Sequence, residues 1–355
     1  MTVAPAATGL PAPCGFVSFP IGHSCAVGQR SHGPLPVGRS DGIGRRRLFG
    51  LLGTAAGAWG VHRLFLAGSE LPADAETPDG AGVVLEAPPV VTTVPQPSPG
   101  TYQDGHLYVA LYGHPGAAVL GVLGEQGPQA AADRAIEVAS QYADFGRPVV
   151  PTFEIITTVA SFEAGADGDY SNEHPAALFL PWIDEAARRG MHVICDLQSG
   201  RASFTQQARD IEVLLSFPHV SLALDPEWRV GPDEVPGGGH VGTVGAAEVN
   251  ASIRYLDELV TRLQLPPKML VVHQFTPAMV TAKNLIQGTP NVRVVFQMDG
   301  FGTLPLKRNT WDTMVADLPP GALTGWKNFY DEDAPTPTPA ETLAVEPTPM
   351  YVSYQ

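Results

Sequence analysis

The stretch Val220-Ser221-Leu222-Ala223-Leu224-Asp225-Pro226-Glu227-Trp228 puts two carboxyls at a spacing of two behind a short apolar run. Side chains alternate along a strand, so Ser221, Ala223, Asp225 and Glu227 share one face and Val220, Leu222 and Leu224 the other. On such a strand the two backbones lie about 6.5 Å apart, twice the strand rise. Carboxyls that close do not ionise independently, and one is pushed towards the range of a general acid. The same pair, salt-bridged inside a barrel rim, would be structural.

Other apolar runs also end in polar groups. Glu154 closes one, and Asp196 with Gln198 the next. His273 and Gln274 follow, then Gln297 and Asp299, then Trp326, Lys327 and Tyr330. Six consecutive runs with a polar end are more than packing requires. Trp228, Trp326, Phe301 and Tyr330 are candidate flat apolar surfaces for a ring-shaped ligand, or ordinary core aromatics. His114, Asp196, Glu227 and His273 could gather round a cation, but there is no His-x-His or His-Glu-x-x-His spacing, and no metal or other cofactor is assigned. There is no Gly-x-Ser-x-Gly elbow, and Gly237-Gly238-Gly239 fits no phosphate-binding loop.

These residues need a framework to bring them together. From Leu107 onward, short β-branched runs alternate with amphipathic segments. Strands are expected at 107–112, 149–155, 192–197, 220–225, 269–275, 292–298, 323–329 and 350–354. Helices are expected at 130–142, 175–189, 204–216, 246–263, 277–286, 311–317 and near 340–344. Ser203 with Gln206 forms a capping pattern, and Thr276-Pro277 and Thr338-Pro339 each set a hydroxyl before a first-turn proline. Parallel strands need helical crossovers, so the expected fold is α/β, a closed (β/α)₈ TIM-type barrel without an eighth helix. An open doubly wound sheet is the alternative. Helix-to-strand links are short, whereas 113–129, 157–174 and 228–245 are long strand-to-helix loops. In a barrel the long loops collect at the carboxyl ends of the strands, with 229–245 as a lid.

With that framework, Asp-x-Glu ending a fourth barrel strand resembles the chitinases of glycoside hydrolase family 18 and the lysozymes of family 25. The resemblance implies that Glu227 protonates a leaving oxygen and that Asp225 assists. It further implies a polysaccharide at the barrel mouth, bound through Glu154, Asp196, Gln198, Trp228, His273, Gln297, Asp299, Trp326, Lys327 and Tyr330. A surface protein that holds a saccharide or other small molecule without turnover is the alternative.

Charge and composition agree with such a ligand. The chain has 355 residues, 44% hydrophobic and 16% charged, which excludes a disordered protein. Net charge is −15, and the first 75 residues hold six of the 21 bases but three of the 36 acids, leaving the remainder 15 against 33. So acidic a body repels phosphate backbones, so nucleic acid is not an expected partner, and a neutral or cationic ligand suits it better. Cys195 lies in an apolar run and reads as a small buried hydrophobe; Asp331-Glu332-Asp333 reads as a solvated charge run.

Residues 1–44, rich in Gly, Pro and Ser, read as disordered. Arg45-Arg46-Arg47-Leu48-Phe49 and the Gly/Ala-rich run after it resemble a twin-arginine export signal over 45–75. Ala73-Asp74-Ala75 offers a cleavage site, a retained anchor being the alternative, and Ser69 stands where a lipid-bearing Cys would be needed. Residues 76–104, with Pro95-Gln96-Pro97-Ser98-Pro99, read as an extended linker before a barrel over 105–355. The expected location is extracytoplasmic, with membrane contact only through the N-terminal segment.

Overall fold

The structure is a computed structural model and describes residues 98–355. The signal-like segment, the region before it and most of the linker lie outside these residues.

Eight parallel strands close into a barrel: β1 (Leu107–Gly113), β2 (Val149–Ala160), β4 (His192–Leu197), β5 (Val220–Leu224), β7 (Lys268–Gln274), β9 (Val292–Met298), β10 (Leu323–Asn328) and β11 (Tyr351–Tyr354). Closure is direct, because β1 pairs in parallel with both β2 and β11. A short β3 (Ser171–Glu173) adds antiparallel to the overhanging end of β2. A separate parallel pair, β6 (Val244–Gly245) with β8 (Val280–Thr281), joins two loops above the barrel.

The period of two sorts the side chains into two cores. Leu107, Val109 and Leu111 of β1, Leu222 and Leu224 of β5, and Leu270 and Val272 of β7 pack outward against the helices. Tyr108, Ala110, Val150, Ile194, Ala223, Met269, Val271, Val295 and Tyr351 fill the interior. Both sets are buried, as a parallel sheet covered on both faces requires. The outer layer comprises α1 (Pro128–Ser140), α2 (Leu180–Arg189), α3 (Phe204–Asp210), α4 (Glu212–Leu215), α5 (Ala246–Leu263), α6 (Leu304–Val315) and α7 (Pro339–Leu343). Ser203 caps α3 by accepting from the Gln206 N–H, and Thr338 with Glu341 forms a complete capping box on α7. Over β11, the last strand, Tyr354 is hydrogen-bonded to Tyr142 at 2.6 Å and stacked on Tyr330.

Three expectations need correction. Residues 277–286 are not a helix: 3₁₀ turns at Pro277–Met279 and Lys283–Leu285 flank β8. The β-branched pair Val280-Thr281 extends to meet Val244-Gly245, and Ala282 adopts a left-handed conformation at φ 52°, which ends any helix. The helix expected at 311–317 starts a full two turns earlier, at Leu304. Finally, residues 98–104 are no free linker. Gly100 sits at φ +86°, where a Cβ would collide with the Met191 carbonyl, and its own carbonyl meets His192 Nδ1 at 2.7 Å. Tyr102 stacks on Tyr108 with ring centroids 5.8 Å apart, closing the amino-terminal end of the barrel.

Candidate active site at the barrel mouth

The inward positions at the carboxyl ends of the strands carry Tyr112 (β1), Glu154 (β2), Asp196 (β4), His273 (β7), Gln297 (β9), Lys327 (β10) and Ser353 (β11), with Asp225 and Asp299 just beyond β5 and β9. Register sets them side by side: Tyr112 lies opposite Glu154, and His273 opposite Gln297. A register shift in β2 between Ile156 and Thr158 turns Thr157 so that its hydroxyl donates to the Asp196 carbonyl at 2.8 Å.

His273 stands at the centre. Its Nδ1 meets Asp299 Oδ2 at 2.8 Å and its Nε2 meets Glu154 Oε1 at 3.0 Å. Tyr351 donates to the other Glu154 oxygen at 2.7 Å, and Tyr112 donates to Asp196 Oδ2 at 2.9 Å. Lys327 Nζ donates to Asp299 Oδ2 at 3.2 Å while lying 3.8 Å from the centre of the Tyr112 ring. Gln297 donates to Ser353 at 2.6 Å, and its carbonyl oxygen packs so closely on Gly325 that a Cβ there would overlap it. A side chain at 325 would therefore have to displace the Gln297 amide.

Charges in this dry setting divide cleanly. Burial opposes protonation of His273, but Asp299 and Glu154 outweigh it and hold the imidazole well above its ordinary 6.5, so both ring N–H groups donate. Lys327 likewise overcomes burial through Asp299, Glu154, Asp225 and Asp196 and stays charged. Asp299, against its burial, is held below 3.8 by Lys327 and His273. Asp196 goes the other way, pushed up to about 6 by burial despite His273. Asp225 rises well above 3.8 through burial and the neighbouring charges of Asp196 and Glu227. At neutral pH the site thus holds two settled cations and an ionised Asp299, while Asp225 holds its proton more tightly than an ordinary carboxyl.

Asp225 and Glu227 reach the mouth by different routes. β5 ends at Leu224, so the pleat orients Asp225 but not Glu227, which rides on a 3₁₀ turn over Pro226–Trp228. Asp225 is 5% exposed and faces Asp196, whereas Glu227 is half-buried at the rim and interacts with Asp225. The expected lid, 229–245, is tied down beside them. Gly242 donates to the Glu227 carbonyl at 2.7 Å, Val230 to Gly200 at 2.9 Å, and the Arg201 side chain to Glu234 at 2.9 Å.

Other residues from the sequence fall elsewhere. Trp326 and Tyr330 are not at the mouth: Trp326 alternates with inward Gly325 and Lys327 and so packs outward on Trp311, and Tyr330 stacks on Tyr354 in the helix layer. Gln198 accepts from the Ala160 N–H at 3.2 Å and supports the β2–β3 extension. Trp228 is buried beside Glu227, and Phe301 packs edge-on against Phe329 near Asp299. His114 turns to the Ile156 carbonyl at 2.8 Å and the His174 ring rather than joining His273. Asp333 is 2% exposed, not solvated: it pairs with Lys307 Nζ at 2.9 Å and accepts from the Gly302 and Phe329 N–H groups. Lys307 also donates to the carbonyls of Gly300 and Lys327, both at 2.7 Å, and so fixes the loops that carry Asp299 and Lys327. Sequence reasoning missed Lys307, Tyr351 and Ser353; only the strand register of β11 hints at the last two.

Among the described residues, the one carboxylate trio with metal-ligand spacing is Asp167, Asp169 and Glu173 on the β2–β3 hairpin. A groove of about 400 Å³ between Pro290, Arg293, Pro319 and Pro320 opens at the opposite end of the barrel. It holds no cluster of ionisable groups, so the chemistry points to the mouth. Cys195 is a free, buried cysteine whose thiol burial pushes up to about 12. No protein-family model matches the chain, and no curated protein is significantly similar to it.

Proposed function

We propose that this barrel hydrolyses a glycan at its mouth by carboxyl acid–base chemistry. The observation that carries the reading is the buried Asp225 carboxyl at the end of β5, its proton affinity raised by burial and Asp196, with Glu227 beside it at the rim. A group that holds a proton at neutral pH is what a general acid requires. In the reaction, Glu227 gives a proton to the glycosidic oxygen and Asp225 assists. The carbon–oxygen bond breaks, its electron pair leaves with the protonated oxygen, and water adds to the sugar carbon, its surplus proton returning to the carboxylate that gave the first. The excess of carboxyls around the mouth favours the positive charge that develops on the ring.

The test is a polysaccharide panel scored for new reducing ends. Glu227→Gln is expected to lower cleavage at least about a hundredfold, the scale of losing an acid catalyst, with an unchanged melting temperature. Equal loss of fold and activity removes the proposal. The second reading, a receptor that binds without turnover, is favoured by the near-complete burial of Glu154, Asp196 and His273, and predicts binding with no new reducing ends.

Export through the segment at 45–75 is part of the proposal, resting on the arginine pair and apolar run. Replacing Arg46→Lys and Arg47→Lys together should retain the chain inside the cell. Among the described residues no helix is long and apolar enough to cross a membrane.

A further inference from the structure

The geometry points to a cationic, donor-rich ligand at this mouth: a glycan with free amino groups, whose ammonium sits between Asp196, Asp225 and Asp299. This rests on the mouth being the working site, but not on turnover there.

Three observations carry it. First, two buried carboxylate oxygens at the mouth lack donors. Asp196 is fully buried, yet its Oδ1 has no hydrogen-bond partner and lies 3.9 Å from His273 Nε2. Asp299 Oδ1 is likewise buried and unpartnered. Buried acceptors without donors are costly, and a ligand that brings N–H and O–H groups relieves them. Second, the site's own cations are committed. His273 is held between Glu154 and Asp299, and Lys327 is held by Asp299 and the Tyr112 ring, which leaves little to attract an anion. Third, five carboxyls (Glu154, Asp196, Asp225, Glu227 and Asp299) face those two cations, while Tyr112 and Tyr351 stay neutral because burial raises both well above 10. The excess raises the proton affinity of two of them, Asp196 and Asp225. An ammonium supplies the same charge from outside, so its arrival should expel a proton.

The experiment is titration calorimetry on the full chain at about pH 6, where Asp196 is half-protonated, in two buffers of different ionisation enthalpy. The probes are a glucosamine tetramer, its fully N-acetylated counterpart and a galacturonate tetramer. The expected result is binding of the amine at least about tenfold tighter than the other two, equivalent to about 1.4 kcal/mol. It should weaken with added salt and release protons in proportion to the amine bound. Asp299→Asn should reduce the preference, with circular dichroism as the folding check. Equal or tighter binding of the N-acetylated or acidic tetramer, no proton release, or no binding of the amine overturns the inference. Cleavage of the N-acetylated tetramer without amine preference would do so while leaving hydrolysis standing. Amine binding with proton release but no reducing ends would support it and remove hydrolysis.

Discussion

Asp225→Asn is expected to be nearly free of cost to the fold at neutral pH, although it removes a buried carboxyl. Burial and Asp196 favour the protonated form of Asp225, and an amide has the size and neutrality of that acid. The loss is then no more than one altered hydrogen bond, about 1 kcal/mol. Glu154→Gln is the contrast. Glu154 accepts from Tyr351 and from His273 Nε2, and losing its charge strips the imidazolium of one of two counterions in a dry interior. Breaking a buried pair in this way costs about 3–5 kcal/mol.

The pH dependence sharpens the comparison. A carboxyl whose folded value is raised binds its proton more tightly in the folded state. The stability it confers is complete below 3.8 and is lost as pH rises to the folded value, at about 1.4 kcal/mol per pH unit. Asparagine has no such slope, so Asp225→Asn should gain on the parent protein as pH rises. Urea unfolding of both variants at several pH values between about 4 and 8 provides the measurement. If Asp225→Asn costs as much as Glu154→Gln at neutral pH, Asp225 is an ionised, paired group and the acid reading of the mouth fails.

Further outcomes follow from single contacts. Lys268 is fully buried with its Nζ on the carbonyls of Phe217 and Val220 and no acid bonded to it; burial lowers it to about 7. Unfolded lysine binds protons up to 10.5, so stability should rise with pH from 7 towards 10.5, and Lys268→Met should flatten that rise and stabilise at neutral pH by about 1–4 kcal/mol. Gly325→Ala drives a Cβ into the Gln297 carbonyl and the Tyr351 ring, and should cost about 1–3 kcal/mol in urea unfolding. Asp333→Asn leaves Lys307 without its counterion, and should destabilise by about 3–5 kcal/mol and raise amide exchange across the 299–302 and 327–333 loops.

Much of the fold was legible because its causes are local. Hydrophobic period and capping residues marked all eight barrel strands, and long loops marked the carboxyl end of the barrel. The inward carboxyl at 225 followed from alternation along Val220–Leu224, since the pleat leaves a strand residue two choices of face. At Trp326 the same alternation points outward, because Gly325 and Lys327 take the inward positions. Where regular geometry stops, so does the inference. Proline at 226 ends the pleat, and a 3₁₀ turn, not a strand, delivers Glu227.

What the chain's own order determined is the inventory: an acidic body, parallel strands, and an ionisable group at the end of most of them. What only closure of the barrel decided is their partnership. Glu154 and His273 are 119 positions apart, and Glu154 and Tyr351 are 197 apart, yet each pair is in hydrogen-bond contact. No local propensity encodes such meetings, because they depend on the register of every intervening strand. The raised proton affinity of Asp225 belongs to the same level. A carboxyl's charge is set by how dry its surroundings are and which charges stand near it, and both exist only once the ring of strands is complete.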